Sequence, residues 1–283
     1  MTSRPPNPNP NSNSNSTESS GSGDIGRTLE LLWDTGPRPS RGPKPGLSVD
    51  RIVDAAIRIA DEEGLDSVSM RRVATDLGTG AMSLYRYVPG KAELLDLMLD
   101  RVRFPDRPND GVGSGSWRTA LETAARDALA VHRRHPWLLR VNQSRPLLGP
   151  RALATLEHLL GRIRPMGLTD PELVSTVVMI DGYVVGAART QVHQEEAARS
   201  TGLTDAEFYG AQVPALEKAM ATGAYPTLAS LSPDTFTAAF DHFEFGLGRI
   251  LDGLEVVVQQ RSGVQQRSVA QQRCEAREFS YDA

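Results

Sequence analysis

The sequence predicts an all-α protein with two helical domains. Three observations carry that expectation. Apolar residues recur at three- and four-residue spacing through most of residues 47–258, with capping residues and stop glycines between the runs. No stretch sustains the apolar–polar alternation of strands. With 283 residues, the chain is long enough to close two modest cores.

The N-terminal region reads as an extension, residues 1–46. PNPNPNSNSNS lies within a low-complexity stretch, 1–24, that has almost no large apolar group and is expected to be disordered. IGRTLELLW, Ile25 to Trp33, has the spacing of a short amphipathic helix. Pro37 to Gly46 is a proline-rich arm carrying Arg38, Arg41 and Lys44 without an acid, suited either to a DNA minor groove or to a solvated linker.

Ser48 to Glu63 is the first strong helix. Ile52, Val53, Ala56, Ile57, Ile59 and Ala60 form its apolar stripe, and Gly64 stops it. SMRRVATDLGTGAMSLYRYVPGK, Ser69 to Lys91, then reads as two short helices around a glycine turn, the helix-turn-helix pattern. Ser69 is the N-cap, Val73, Ala74 and Leu77 make an apolar face, Gly78 supplies the turn, and Leu84 and Tyr87 close over the first helix. Thr79, Gly80, Met82, Ser83 and Arg86 are left to face base edges, and Ser69, Tyr85, Tyr87 and Lys91 to hold phosphates, with Arg71 adding to the basic face. Lys91 to Val102 follows as a helix with Leu94, Leu95, Met98 and Leu99 on one side.

These four elements in order resemble the N-terminal domain of the TetR family of transcriptional repressors. IVDAAIRIADEEGLDSVSMRRVATDLGTGAMSLYRYVPGKAELLDLML carries the likeness through its first helix, SMRRVA, LYRYV and GKAELL. The helix-turn-helix domain is placed at 47–92. The resemblance implies a homodimer binding a palindromic double-stranded DNA operator, its half-site centres about one helical turn (~34 Å) apart or slightly more.

Residues 93–258 are expected to form a helical effector-binding and dimerisation domain. FPDRPNDGVGSG is a loop whose GVGSG lacks the preceding strand a dinucleotide site needs. Ser116 caps a helix to Arg134, Pro136 to Val141 makes a short turn, and Pro150 opens a helix to about Met166. Thr169 and Glu172 form a capping box before a helix to about Arg199 that is apolar on more than one face. Thr204 and Glu207 cap a weaker helix to about Met220, and Ser232-Pro233 opens the last one, with Phe236, Phe240, Phe243, Leu247, Ile250, Leu251 and Leu254 on its apolar face. The two long helices, about 170–199 and 233–258, carry more apolar surface than one small domain buries, which predicts a four-helix bundle with a second copy. FEFGLGRILDGLE with DPELV…DGYVVGAA resembles the C-terminal domain of tetracycline repressors.

That resemblance implies a small organic effector within the helical domain. Asn142 to Pro146 matches the family's effector-contacting turn, making Asn142 and Arg145 first candidates, with Trp137 and Tyr183 behind them. Asp181, a carboxylate in the most apolar helix, needs a partner or a cavity. Val141 stands where tetracycline repressors hold magnesium with a histidine, and Thr190 where they place the partner acid, so a metal-free effector is expected, with no metal and no other cofactor.

Composition sets the outer bounds. A net charge of −4 excludes a general polycation coating nucleic acid, while Arg71, Arg72, Arg86 and Lys91 against Asp76 alone give a local basic face. One cysteine, Cys274, permits no intrachain disulfide. No GxSxG, HExxH, P-loop or CxxC occurs, and His132, His135, His158, His193 and His242 are dispersed, so no enzyme activity is expected. No secretion signal is visible, and the apolar run Leu173 to Val185 is too short for a bilayer, so the protein is expected in the cytoplasm without a membrane partner. QQRSGV, QQRSVA and QQRCEA open a Gln-rich tail, 259–283, expected to be flexible.

Overall fold

The structure is a computed structural model, which describes residues 18–33, 47–104, 116–232, 235 and 240–278. The helices are α1 Ile25–Trp33, α2 Val49–Glu63, α3 Met70–Asp76, α4 Ala81–Leu84, α5 Lys91–Arg103, α6 Trp117–Arg134, α7 Pro150–Ile163, α8 Asp170–Thr201, α9 Asp205–Gly210, α10 Val213–Met220, α11 Pro226–Ala229 and α12 His242–Glu278. Among the described residues there is no strand, only one isolated bridge between Ser19 and Asn142. The chain divides into two compact units, one within 1–106 and 135–153, the other within 107–134 and 154–283.

In the first unit, Ser48 accepts the Arg51 N–H at 3.2 Å and starts α2. Ile52, Val53, Ala55, Ala56, Ile59 and Ala60 are buried along one face, and the Gly64 N–H closes the helix on the Ala60 carbonyl. Ser69 caps α3 by accepting the Arg72 N–H at 3.1 Å, and Val73 and Ala74 are buried beneath it. Gly78 makes the turn at φ +65°, a left-handed backbone that a side chain resists. α4 has four residues, and the Tyr87 and Val88 N–H groups both return to the Leu84 carbonyl. The buried pair is therefore Leu84 and Val88, whereas Tyr87, placed inside by helical spacing, is half-buried. Helical periodicity does not extend past a helix that ends at Leu84.

α5 is buried on both sides. Leu94, Leu95, Met98 and Leu99 lie in the core, as their spacing predicts, but Glu93, Asp96 and Asp100 are buried as well. Part of the expected disordered extension covers these acids. Asp96 accepts Ser20 Oγ at 2.7 Å and the Gly21 N–H at 3.0 Å, and Glu93 accepts the Asp24 N–H at 3.0 Å. Glu18 to Asp24 is thus ordered by hydrogen bonds to carboxylates, an interaction invisible to an argument from apolar content. α1 forms as its spacing predicts, and Thr28 and Leu32 are buried. The Pro-rich arm 37–46, most of residues 1–24 and the GVGSG loop lie outside the described residues.

Residues 135–153 complete this unit, although the sequence assigned them, with α5, to the second domain. Their side chains explain the difference. Trp137 Nε1 donates to Asp61 Oδ1 at 2.8 Å, and His135 Nδ1 lies 2.7 Å from the same oxygen. Asp100 Oδ1 accepts the Ala152 N–H at 3.4 Å, a carboxylate from α5 standing at the N-terminus of α7.

In the second unit, α8 packs along α6 and against α12. Leu173, Thr176, Ile180, Val184, Ala188 and Val192 form its single buried stripe, so the expectation of burial on several sides fails within the chain: Val174, Val178 and Met179 are exposed. At 32 residues α8 is, by length and composition, long and apolar enough to cross a membrane, contrary to the shorter run read from the sequence. Within the chain 28% of its most apolar window is buried, along the one stripe set against α6 and α12. Arg126 grips Glu244 through two bonds of 2.7 and 2.8 Å, and Arg118 reaches Asp252 at 2.8 Å, tying α6 to α12. Tyr183 donates to the Phe243 carbonyl at 2.9 Å and stacks on that ring at 5.7 Å.

α9, α10 and α11 contain no buried residue. The Thr204–Glu207 capping box forms as expected, with both reciprocal bonds. α12 runs on to Glu278, through much of the stretch expected to be a flexible tail. Gln and Arg are good helix formers, and Arg261 is anchored to Glu172 at 2.5 Å and to the Gly167 carbonyl at 3.2 Å. The helix begins at His242 rather than at Ser232-Pro233, because Phe240 and Asp241 precede it outside the helix, and Phe240, expected on its apolar face, is exposed; Pro233 and Phe236 lie outside the described residues.

Candidate nucleic-acid interface

The two short helices α3 and α4, with the Gly78 turn between them, hold a set of side chains off the core. Met82 is 78% exposed and Tyr85 46%, values that mark residues left without an intramolecular role. Gly80, Arg71 and Arg86 are exposed, and neither arginine has an ion-pair partner among the described residues. Thr79, Ser83 and Tyr87 are half-buried at the edge of the same surface. Ser69 is committed to its cap, with one lone pair already taken by the Arg72 N–H.

The basic face is narrower than charge counting along the sequence implies. Arg72 donates to Glu63 through Nε at 3.2 Å and also through Nη2. That hydrogen-bonded pairing pushes the Glu63 carboxyl below its ordinary range and the Arg72 guanidinium above its own. Arg58 covers Asp76 at 2.5 Å. Lys91 Nζ lies 2.6 Å from Glu18 Oε1. Arg71 and Arg86 are the cations of the motif without such a pairing among the described residues.

The five effector candidates do not gather in one place within either unit. Trp137, Asn142 and Arg145 belong to the first unit, Asp181 and Tyr183 to the second. Trp137 is 3% exposed and its indole is spent on Asp61, so it ties the 135–140 turn to α2. Asn142 is exposed, its side-chain oxygen accepting the Ser144 N–H at 3.0 Å, and Arg145 is exposed beside it. The Tyr183 hydroxyl is held by α12 carbonyls, and burial pushes its ionisation above the usual phenol range. Asp181 is half-buried on α8.

Next to the Asn142–Pro146 turn is a small cleft lined by Ser20, Asp96, Asp100, Arg103, Gln143 and Leu147, among others. Gln143 links its walls, accepting from Arg103 at 2.7 Å and donating to the Leu138 carbonyl at 3.1 Å. Burial raises the carboxyls of both Asp96 and Asp100 above their ordinary values, against the hydrogen bonds each accepts. Sequence reasoning missed Glu18, Asp61, Glu93, Asp96 and Asp100. The spacing of Glu93, Asp96 and Asp100 along one face of α5 was the available signal. In the second unit, His132 is buried and the Thr155 hydroxyl is buried without a hydrogen-bond partner.

A helix-turn-helix head followed by a separate helical unit defines a class of DNA-binding regulator, and comparison with known proteins assigns the family. Residues 52–98 match the model described as bacterial regulatory proteins, tetR family, and residues 108–258 match that of the tetracyclin repressor-like C-terminal domain. The chain belongs to the TetR family and is a transcriptional repressor of it. It is 70% identical over 241 residues to the HTH-type transcriptional repressor DrrR1 of Streptomyces coeruleorubidus, an alignment covering 85% of this chain and 89% of that protein. It is 33% identical over 182 residues to an HTH-type transcriptional regulator of Saccharopolyspora erythraea, covering 62% and 74%. Among solved structures, the TetR family protein ActR of Streptomyces coelicolor, in complex with actinorhodin, matches at 29% identity and TM-score 0.60 over 75% of this chain and 96% of that one.

Proposed function

We propose that the protein represses transcription by binding a palindromic operator as a homodimer and is released by a small metal-free organic effector. The observation that carries the DNA half is the exposed, unspent set Arg71, Gly80, Met82, Tyr85 and Arg86 on a folded helix-turn-helix, with Thr79, Ser83 and Tyr87 at its edge. Arg86 and its neighbours read base edges, while Ser69, Tyr85, Tyr87 and Lys91 meet phosphates.

Dimerisation is supported by apolar side chains left uncovered within one chain. Val174, Val178 and Met179 on α8, and Phe245, Val256 and Val257 on α12, are all exposed. A second copy that aligns these helices as a four-helix bundle removes them from water.

For the effector, ActR structures with actinorhodin and with (S)-DNPA support an organic ligand in this fold. The buried Thr155 hydroxyl supports a polar contact inside the second unit, with Asp181 on α8 a second candidate there. Arg145 and Asn142, exposed on their turn, remain candidates for a ligand's polar groups, whereas Trp137 and Tyr183 have their polar atoms occupied. The side chains of Val141 and Thr190 do not supply a histidine–carboxylate pair for magnesium. The protein acts by binding rather than catalysis, in the cytoplasm, with no membrane partner.

The test is selection of genomic fragments by the purified protein at ~150 mM salt, read by sequencing. Enrichment of one or a few palindromes is expected. Random recovery by a folded dimer overturns the operator-binding reading.

A further inference from the structure

We propose that residues Glu18 to Asp24 form a strap that holds Lys91 away from DNA, with the Glu18 carboxylate standing in for a backbone phosphate. The inference rests on the reading of Lys91 as a phosphate contact. Lys91 is the first residue of α5, where unpaired backbone N–H groups and the helix dipole favour an anion. The anion paired with the Lys91 side chain is the chain's own, Glu18 Oε1 at 2.6 Å from Nζ. Side chains of both residues are about one-third exposed or less (35% and 28%), so a phosphate approaching Lys91 competes with the carboxylate for its ammonium.

The strap is fixed along its length. The Asn142 N–H donates to the Glu18 carbonyl at 2.8 Å and the Ser20 N–H donates to the Asn142 carbonyl at 3.0 Å, flanking Ser19. Ser20 and Gly21 are bound to Asp96, and Asp24 to Glu93. At Gly23 the chain passes so close to α5 that an added Cβ would lie 2.8 Å from Glu93 Cδ and inside contact distance of its oxygen. A displacement of the Asn142–Arg145 turn therefore pulls directly on Glu18. The strap makes that turn and the phosphate contact parts of one hydrogen-bonded chain.

Exposed ion pairs contribute little, so the effect is modest but signed. Glu18→Gln keeps the strap's backbone bonds and is expected to tighten DNA binding by about 2- to 5-fold, the range such a pair spans. The probe is a fluorescein-labelled mixed-sequence duplex of ~30 bp at ~50 mM salt, since phosphate contacts carry no sequence information. Lys91→Met is measured alone and combined with Glu18→Gln, each variant first checked for native helicity. The proposal requires tightening with Lys91 present and none in the Lys91→Met background. Tightening in both backgrounds means generic charge repulsion and overturns the strap. No change on Glu18→Gln while Lys91→Met weakens binding also overturns it, but leaves the phosphate reading of Lys91 standing. If Lys91→Met is silent both alone and in the Glu18→Gln background, the strap and Lys91 both leave the interface, while operator binding stands or falls on the fragment selection.

Discussion

Gly246 offers a signed test of the second unit. In the interior of a helix, Gly→Ala ordinarily stabilises by about 0.5–1 kcal/mol. Here an alanine Cβ would lie 2.8 Å from Tyr183 Cζ, 3.0 Å from Cε2 and closer still to the hydroxyl. The ring cannot slide away freely, because it stacks on Phe243 and its hydroxyl donates to the His242 and Phe243 carbonyls at 3.1 and 2.9 Å. Overpacking of this kind costs about 1–3 kcal/mol. Losing the hydroxyl's bonds adds about 0.5–1.5 kcal/mol. Against the propensity gain, Gly246→Ala is expected to destabilise by about 1–3 kcal/mol. Gly161→Ala on α7, where nothing lies within 4 Å of the new Cβ, should instead be neutral or stabilising. Urea unfolding at one fixed protein concentration compares the two. A Gly246→Ala chain as stable as Gly161→Ala refutes the reasoning. So does the same cost in a Tyr183→Ala background, where the obstruction is gone.

Four further outcomes follow from the structure. Arg86→Ala should weaken operator binding by about 1–3 kcal/mol with the dimer intact, measured by fluorescence anisotropy; unchanged affinity removes Arg86 from the reading surface. Asp61→Ala strips the acceptor from the Trp137 indole, which is 3% exposed, and should cost about 1–3 kcal/mol in chemical denaturation, a wild-type midpoint contradicting the role given to Asp61. Val178→Asp places a charge on the exposed apolar face of α8 and should convert dimer to monomer in sedimentation, whereas a persistent dimer moves the interface elsewhere. The last concerns pH. Because burial raises Asp96 in the folded chain, the native state binds its proton more readily than the unfolded one, so ionising it costs stability as pH rises from 3.8 through its raised folded value. Asp96→Asn, which keeps an acceptor for Ser20 and Gly21, should remove that contribution and match or exceed wild-type stability at pH 7. A clear loss at pH 7 would show that the charge itself holds the strap.

The sequence alone determined the all-α class, the order of the main helices and the helix-turn-helix motif, because those follow from short-range physics. Ser48, Ser69 and Ser116 cap their helices within three residues, Gly78 turns the chain where only its neighbours matter, and the α2 stripe repeats at 3.6 residues. The exposed face of Arg71, Gly80, Met82, Tyr85 and Arg86 was legible for the same reason, being what remains after the core residues are subtracted. Tertiary structure decided how the charges pair. Glu18 and Lys91, Asp61 and Trp137, and Glu63 and Arg72 are separated by 73, 76 and 9 residues, and no periodicity links them. It also decided the grouping of residues 135–153 with the reading head and the ordering of Glu18 to Asp24. Both depend on single carboxylates meeting donors brought close only by packing. A carboxylate on a helix face reads the same in sequence whether it faces water or a buried N–H. Only the fold distinguishes Asp96 and Asp100 from solvated acids, because burial, which sets their chemistry, is a property of their neighbours.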